Sequence, residues 1–248
     1  MILYPNAKIN LGLNILQKRE DGYHDISSVL YPVNDCFDVL EIIKSEEFEF
    51  IKSGLEIPQG ENLCIKAWKL LQTVFDISNV KIHLHKQIPI GAGLGGGSSD
   101  ASFTLKALNK IFNLKLSNRE LEKYALELGA DCPFFIDNTP KLVEGIGEKM
   151  TKINIDLSDF KIKLVNPEIH ISSSDAYDGV IPVIPKLYPQ EIIQLSVKEW
   201  KGKLKNDFED SIFQKYPNLK NIKENLYSEG SIYVSMSGSG SVFYSLNL

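Results

Sequence analysis

Apolar and polar residues alternate along much of the N-terminal part of the chain, with the period of two that is typical of half-buried β-strands. Residues 7–16, 27–33 and 38–43 follow this alternation, and Asp21-Gly22 is a turn signal between the first two stretches. The pattern predicts that the chain opens with a β-meander.

Helical spacing replaces this alternation after Asn62, which is available as an N-cap. The apolar residues with helical spacing are Leu63, Ala67, Leu70, Leu71 and Val74. They predict an amphipathic helix over residues 63–75. Residues 80–90 return to a period of two and predict a strand that reaches Pro89, just before a cluster of glycines.

Two helices are predicted after the glycine cluster. The first covers residues 98 to about 112, and Ser98 or Ser99 is its expected N-cap. The second follows a capping box formed by Ser117 and Glu120 and ends at a glycine.

The pattern changes again beyond about residue 155, and this change suggests a second lobe. The elements predicted there are a strand at 160–167, a proline-spaced connection at 181–189, helices around 189–198 and 218–228, and strands at 231–235 and 241–246. Strands and helices are mixed without strict alternation, which favours an α+β fold. We expect a nucleotide-binding lobe over residues 1–157 and a second lobe over 158–248.

Composition and charge narrow the class of protein. The 248 residues are 43% hydrophobic and 24% charged, which excludes general disorder, and the net charge of −5 argues against a nucleic-acid partner. Three cysteines without a Cys-x-x-Cys pair support neither a disulfide framework nor a zinc site. Lys8 interrupts the first apolar stretch, so we expect no signal peptide, no membrane span and a cytoplasmic location.

Five glycines crowd the segment between the predicted strand at 80–90 and the helix that follows it. They are Gly91, Gly93, Gly95, Gly96 and Gly97. Backbone N–H groups on a path without Cβ atoms, next to a helix N-terminus, form a site suited to phosphate. A flexible loop is the alternative. The segment lacks the lysine of a Walker A loop, whereas its G-x-G-x-x-G spacing leaves dinucleotide binding as the second interpretation.

Residues 89–102, PIGAGLGGGSSDAS, closely resemble the nucleotide-binding motif of the galactokinase, homoserine kinase, mevalonate kinase and phosphomevalonate kinase superfamily. Within it, three further stretches resemble the family of 4-diphosphocytidyl-2-C-methyl-D-erythritol kinases. These are residues 5–33, LGADCPFF at 128–135 with EGIGE at 144–148, and SMSGSGSVF at 235–243.

This resemblance implies a two-lobed α+β small-molecule kinase. The N-terminal lobe would be similar to ribosomal protein S5 domain 2, the C-terminal lobe would be ferredoxin-like, and the active site would lie in the cleft between them. The implied reaction is ATP-dependent phosphorylation of the 2-hydroxyl of 4-diphosphocytidyl-2-C-methyl-D-erythritol in non-mevalonate isoprenoid biosynthesis, with Mg²⁺ accompanying ATP. The chain ends at Leu248, where the family commonly continues, so the second lobe is expected to lack an edge element.

The resemblance also implies catalytic roles for two residues. Lys8 matches the catalytic lysine and Asp131 matches the aspartate that serves as general base. From the residues alone, Lys8 could equally be an edge-strand lysine facing water, and Asp131 an Asx turn after a helix.

Five residues match the family's substrate side: Asn10, Tyr23, His24, Ser173 and Tyr177. The resemblance implies that Tyr23 and Tyr177 stack on cytosine while His24 bonds its edge. A hairpin tip with a half-exposed aromatic ring is the alternative for the Gly22-Tyr23-His24 segment.

The nucleotide side follows from the same resemblance. The residues expected to bind the ATP phosphates are Pro89, Ile90, Gly91, Ala92, Gly93, Leu94, Gly95, Gly96, Gly97, Ser98 and Ser99. Asn62 and Lys86 are expected to line the adenosine side. Gly238 and Gly240, the third motif, are expected against the phosphate loop, with a glycine-rich hairpin turn as the alternative. Asp100 stands where some relatives carry Asn, and its charge suits the helix dipole but lies near the expected phosphates.

Other chemically suggestive features receive structural interpretations. His83 and His85 are expected to form a polar strand face rather than a metal site, and Cys132 is expected to pack. The lysines around Trp200, at 198–205, are expected to form a solvated loop.

Three rival functions stay open. The acceptor could be homoserine or mevalonate, the chain could be a non-catalytic nucleotide-binding module, or it could be a dinucleotide oxidoreductase.

Overall fold

The structure is a computed structural model that describes residues 1–57 and 60–248. Its strands are β1 (Ile2–Leu3), β2 (Asn6–Lys18), β3 (His24–Phe37), β4 (Val39–Lys44), β5 (Glu49–Gly54), β6 (Val80–Lys86), β7 (Lys141–Gly145), β8 (Lys149–Lys152), β9 (Lys161–Val165), β10 (Tyr233–Met236) and β11 (Phe243–Asn247). Its α-helices are α1 (Leu63–Phe75), α2 (Gly96–Ile111), α3 (Asn118–Leu128), α4 (Cys132–Asp137), α5 (Ser173–Asp178), α6 (Pro189–Ile192), α7 (Phe208–Lys215) and α8 (Pro217–Ser228). Within the described residues, no helix is both long enough and apolar enough to cross a bilayer.

The chain forms two compact units, each assembled from separate stretches of sequence. Unit 1 comprises residues 1–8, 32–90 and 95–139. Unit 2 comprises residues 9–31, 91–94 and 140–248. The glycine-rich segment therefore contributes to both units. The division of the chain at residue 157 stays a prediction.

Unit 1 is built on a sheet with the strand order β1-β4-β6-β5. β4 pairs antiparallel with β6, and β5 pairs parallel with it. The period of two in β6 buries Val80, Ile82 and Leu84. Helix α2 packs against α1, α4 and β4, so the start of this helix is tied to the centre of the unit.

Unit 2 contains two sheets, with the orders β2-β3-β7-β8 and β10-β11-β9. β11 pairs antiparallel with both of its neighbours. Large buried aromatic side chains fill the unit, including Trp200, whose ring meets that of Tyr233 edge to face. The lysines at 198–205 were expected in a solvated loop, and Lys201 and Lys203 are exposed. Trp200 is only 1% exposed, however, because its apolar ring packs in the core against Tyr233.

Two of the predicted helix N-terminal caps are confirmed. Asn62 caps α1 by accepting a hydrogen bond from the N–H of Cys64 at 2.9 Å. The capping box of Ser117 and Glu120 is present at the start of α3. The α+β mixture of strands and helices is also as expected.

Several boundaries were predicted wrongly. β6 ends at Lys86 rather than at Pro89, and α2 begins at Gly96 rather than Ser98. The helix expected around 189–198 is split into α6 and a 3₁₀ turn at 197–199. The elements without a prediction are short ones with weak apolar periodicity: β1, β5, β7, β8, α4, α5 and α7.

Candidate active site

The glycine-rich segment leads into α2 through Gly95, which is the N-cap of the helix. Neither Ser98 nor Ser99 has that role. Gly95 has φ 69°, a left-handed conformation that turns the chain into the helix without a capping side chain, and its carbonyl accepts from the N–H of Ser99 at 2.9 Å. A Cβ on Gly95 would lie 3.0 Å from Cγ of Lys8. The first turn of α2 therefore lies directly beside Lys8.

Lys8 and Asp131 face each other within unit 1. The Nζ of Lys8 lies 3.6 Å from Oδ2 of Asp131, and the side chains are 5% and 40% exposed. Lys8 lies between two fully buried residues of β2, Ala7 and Ile9, so it is not an edge-strand lysine facing water. Asp131 is the residue before α4, and its side chain makes no capping hydrogen bond there. The pair thus places a buried ammonium beside an accessible carboxylate.

α4 is held against α2 just after Asp131. The hydroxyl of Ser102, on α2, donates a hydrogen bond to the carbonyl of Cys132 at 2.7 Å. Burial raises the pKa of the Cys132 thiol to about 11, so this side chain packs as an uncharged group, as expected. These contacts hold the backbone next to Asp131 against α2.

Lys86 is buried in a group of three charged side chains within unit 1. Its Nζ lies 2.5 Å from Oδ2 of Asp38 and 2.7 Å from Oδ2 of Asp100. Burial by itself lowers the pKa of Lys86, but the two carboxylates raise it above its ordinary value. Lys86 therefore stays protonated, and its ammonium is bonded to both aspartates.

In unit 2, residues 91–94 lie against the third motif. The hydroxyl of Ser237 donates to the carbonyl of Gly93 at 2.8 Å. A Cβ on Gly93, which has φ 79°, would come 1.8 Å from the carbonyl oxygen of Ser237, so only glycine allows this approach. The side-chain amide of Asn206 donates to the carbonyl of Gly238 at 2.8 Å.

Gly238 and Gly240 both belong to the connection between β10 and β11, which pair antiparallel. The hairpin turn that was the alternative interpretation of this motif is therefore present. The same turn brings Gly238 next to Gly93, since a Cβ on Gly238 would lie 3.2 Å from Cα of Gly93. The two interpretations are compatible.

Asn10 is a buried side chain of β2 in unit 2. Its amide donates to the hydroxyl of Ser28 at 2.9 Å, and that hydroxyl donates to the carbonyl of Gly12 at 2.6 Å. The backbone carbonyl of Asn10 accepts from the hydroxyl of Tyr244. The orientation of Asn10 is therefore fixed by its neighbours.

An aromatic pair marks the other group of predicted substrate residues in unit 2. The rings of His24 and Tyr177 are stacked, with centroids 4.8 Å apart and an angle of 21° between the planes. Tyr23 is 61% exposed, and Ser173 is the first residue of α5. Burial, followed by the positive charge of Lys18, lowers the pKa of His24, so its imidazole is neutral at neutral pH.

Sequence reasoning missed some residues that organise these sites. Asp38, Ser237 and Asn206 are all buried and bond to backbone or charged groups far away in sequence. Asp38, the first residue of a predicted strand, carried no local signal of this role. Ser237 lies inside the third motif and could have been suspected from it.

The described residues contain no group of three or more His, Cys, Asp or Glu side chains that could hold a metal ion. His83 and His85 both lie within hydrogen-bond distance of the hydroxyl of Ser53, at 2.8 and 2.9 Å. They form a polar face of β6, as expected.

Comparison with known proteins gives the family. Residues 62–138 match the family described as GHMP kinases N terminal domain, and residues 191–246 match GHMP kinases C terminal. The chain is 49% identical to a 4-diphosphocytidyl-2-C-methyl-D-erythritol kinase of Azobacteroides pseudotrichonymphae, over 99% of this chain and 93% of that protein.

Solved structures of kinases also match the fold of this chain. A crystal structure of a 4-(cytidine 5'-diphospho)-2C-methyl-D-erythritol kinase matches with a TM-score of 0.84 at 32% identity, covering 99% of this chain and 90% of that one. A homoserine kinase from Cytophaga hutchinsonii shares the fold, with a TM-score of 0.71 at 16% identity over 98% of this chain and 84% of that one. The chain is thus an ATP-dependent small-molecule kinase with GHMP kinase N- and C-terminal domains, and it belongs to the 4-diphosphocytidyl-2-C-methyl-D-erythritol kinase family.

Proposed function

We propose that this kinase transfers the γ-phosphoryl group of ATP to the 2-hydroxyl of 4-diphosphocytidyl-2-C-methyl-D-erythritol. The observation that carries the proposal is the pair of Lys8 and Asp131, 3.6 Å apart, beside the Gly95 turn at the start of α2. Phosphoryl transfer needs a proton acceptor, positive charge and N–H donors in one place. This part of unit 1 offers all three.

In the proposed reaction Asp131 accepts the proton of the 2-hydroxyl as the hydroxyl oxygen bonds to the γ-phosphorus. The bond from that phosphorus to the bridging oxygen breaks, and ADP leaves with the bond electrons. A carboxylate is a weak base toward an alcohol, so position contributes more than basicity. The ammonium of Lys8 stabilises the negative charge that develops on the oxygens.

Residues 89–99 are proposed to bind the ATP phosphates through backbone N–H groups at the start of α2. Gly238 and Gly240 would support this segment through the contact between Gly238 and Gly93. Asn62 is proposed to line the adenosine side. Lys86, expected there as well, is bound to Asp38 and Asp100, so we propose that it acts on the loop rather than on the base.

Mg²⁺ is proposed as the ion that accompanies ATP. Magnesium in such reactions is held mostly by phosphates and water, with one or two carboxylates from the protein. Because Asp131 is the proton acceptor in this proposal, the phosphates of ATP and water would supply most of the ligands of the ion. When bound, the ion would neutralise charge on the phosphates.

The cytidine end of the acceptor is proposed to bind at Tyr23, His24 and Tyr177, with Asn10 and Ser173 as polar contacts. A neutral imidazole has one donor and one acceptor nitrogen, which suits the edge of cytosine. Aromatic rings give the stacking surface for the flat base. A cytoplasmic location is also proposed, because the free thiols of Cys36, Cys64 and Cys132 suit a reducing compartment.

The test is a coupled assay that follows ADP release with the cytidine compound, homoserine or mevalonate as acceptor. We expect ADP release only with the cytidine compound, and phosphorus NMR of the product to place the new phosphate on the 2-hydroxyl. Turnover of mevalonate in its place would contradict the acceptor. Saturable ATP binding without turnover would indicate a non-catalytic module, and saturable NAD binding would favour the dinucleotide interpretation.

A further inference from the structure

We infer that Asp38, Lys86 and Asp100 form a positioning network that fixes both ends of the phosphate loop and so sets the affinity for ATP. The inference rests on the proposed role of residues 89–99 in ATP binding. None of the three side chains is proposed to touch the nucleotide.

The network joins three separate parts of unit 1. Asp38 lies between β3 and β4, Lys86 is the last residue of β6, and Asp100 lies in the second turn of α2. All three are nearly inaccessible to solvent, with exposures of 0%, 3% and 2%. One ammonium bridges the two carboxylates at 2.5 and 2.7 Å.

Asp38 holds the segment that enters the loop. Its Oδ1 accepts from the N–H of Gln87 at 2.6 Å and from the N–H of Ile88 at 2.8 Å. Its Oδ2 accepts from Lys86. One carboxylate therefore binds three consecutive residues that immediately precede Pro89.

Asp100 and Gly96 hold the segment that leaves the loop. Asp100 ties α2 to the ammonium of Lys86. A Cβ on Gly96 would lie only 2.9 Å from Nζ of Lys86, so the first residue of α2 lies directly over the ammonium. The network thus fixes the end of β6 relative to the start of α2.

A role in stability alone does not account for this arrangement. Desolvating three charged groups costs free energy that their attraction often fails to recover, and apolar replacements of buried ion triads are often neutral or stabilising. What the network provides is a defined geometry for the loop.

The carboxyl group of Asp100 makes fewer hydrogen bonds than that of Asp38. Its Oδ1 is buried without a hydrogen-bond partner among the described residues, whereas both oxygens of Asp38 are bonded. The thiol of Cys64, on α1, is a further titratable group close to Asp100, besides Asp38 and Lys86. An amide that keeps one oxygen toward Lys86 should therefore replace Asp100 with little loss.

The test compares Asp38→Asn, Asp100→Asn and the triple variant Asp38→Asn/Lys86→Met/Asp100→Asn with the wild type. Affinity for a non-hydrolysable ATP analogue is measured by calorimetry, and KM values are measured for both substrates. Asp159→Asn, an exposed position, is the matched control. Near-UV circular dichroism shows which variants are folded at the assay temperature.

We expect Asp38→Asn to weaken ATP-analogue binding at least tenfold while KM for the cytidine compound changes less than twofold. Asp100→Asn, which can keep one oxygen toward Lys86, should weaken binding less than Asp38→Asn does. The triple variant has no charge left in the network and stays testable if Asp38→Asn does not fold; it too should lose at least tenfold.

A folded Asp38→Asn or triple variant with wild-type ATP affinity would overturn the network's role in positioning, and so would an equal loss for both substrates. Failure of the wild type itself to bind the analogue would instead overturn the proposed ATP site. The two failures are therefore distinguishable.

Discussion

The ammonium of Lys8 lies 3.6 Å from the carboxylate of Asp131, and the two side chains differ in their access to solvent. The side chain of Lys8, on β2, is buried, while the carboxylate of Asp131 is accessible to solvent and so to a substrate hydroxyl. The two groups are close enough to form an ion pair, but no direct hydrogen bond of ordinary length joins them. A substrate hydroxyl and a phosphoryl group could therefore use both.

The first prediction concerns this pair as a unit. Lys8→Met and Asp131→Asn should each lower kcat by about 10²–10⁴-fold, the usual range for loss of acid–base or electrostatic assistance. The double variant should be little slower than either single one, since residues that act together are not additive. Steady-state kinetics would check this, with Asp159→Asn as an exposed control; unchanged turnover in Asp131→Asn would remove it from catalysis.

The second prediction distinguishes the backbone strain of a side chain at Gly95 from its effect on the proposed active site. Gly95→Ala and Gly230→Ala both place a side chain at positive φ, and each should lose about 1–2 kcal/mol of stability. Only Gly95 has Lys8 and Phe135 within 3.0–3.1 Å of the new Cβ; nothing lies within 4 Å at Gly230. We expect at least a tenfold fall in kcat/KM for Gly95→Ala and none for Gly230→Ala. Equal kinetics in both variants would contradict the proposed site.

The third prediction concerns stacking at Tyr177. Tyr177→Ala should raise KM for the cytidine compound about 5–150-fold, because a base stacked on an aromatic ring is worth about 1–3 kcal/mol. Tyr177→Phe keeps the ring and should stay near the wild type. KM for ATP should not change in either variant. Since Tyr177 also meets Phe208 edge to face, thermal unfolding must be measured alongside. A Tyr177→Ala variant with normal KM would place the cytidine end elsewhere.

The fourth prediction is a dependence of stability on pH. Burial, together with the charge of Asp38, raises the pKa of Asp100 to about 8, while Lys86 opposes the rise. The unfolded chain has the ordinary lower pKa, so between about pH 4 and pH 8 the folded chain binds more protons. Stability from this group is therefore full at low pH and is lost as the pH rises through 8.

Asp100→Asn should remove that loss. Urea unfolding between pH 5 and pH 8 would compare the slopes of unfolding free energy against pH, which can differ by up to about 1.4 kcal/mol per pH unit for one proton. Identical slopes in the two proteins would show that Asp100 does not titrate in this range.

The sequence predicts a structural feature well when the interactions that form it lie within a few residues of each other. The cap of Asn62 and the box of Ser117 with Glu120 act within one helical turn, so their residue types reveal them. The start of α2 was misplaced because a glycine at positive φ can begin a helix without a capping side chain, and two serines nearby offered a more usual cap.

The sites depend on contacts over long distances in sequence, which local patterns do not contain. Only the family resemblance joined Lys8 with Asp131. Nothing marked Asp38 as the partner of Lys86, because that contact exists only once β4 and β6 pair. The family resemblance predicted Lys86 beside the nucleotide. It did not indicate that two aspartates surround the ammonium, because those contacts form only in the folded chain.

The interleaved composition of the two units limits how this enzyme could be divided. The backbone passes from one unit to the other at residues 8–9, 31–32, 90–91, 94–95 and 139–140. No single cut would release either unit as an intact fragment, and a cut at 94–95 would sever the segment proposed to hold the triphosphate. Reconstitution from two separately expressed halves, or exchange of one half between relatives, would have to respect these junctions rather than any one boundary.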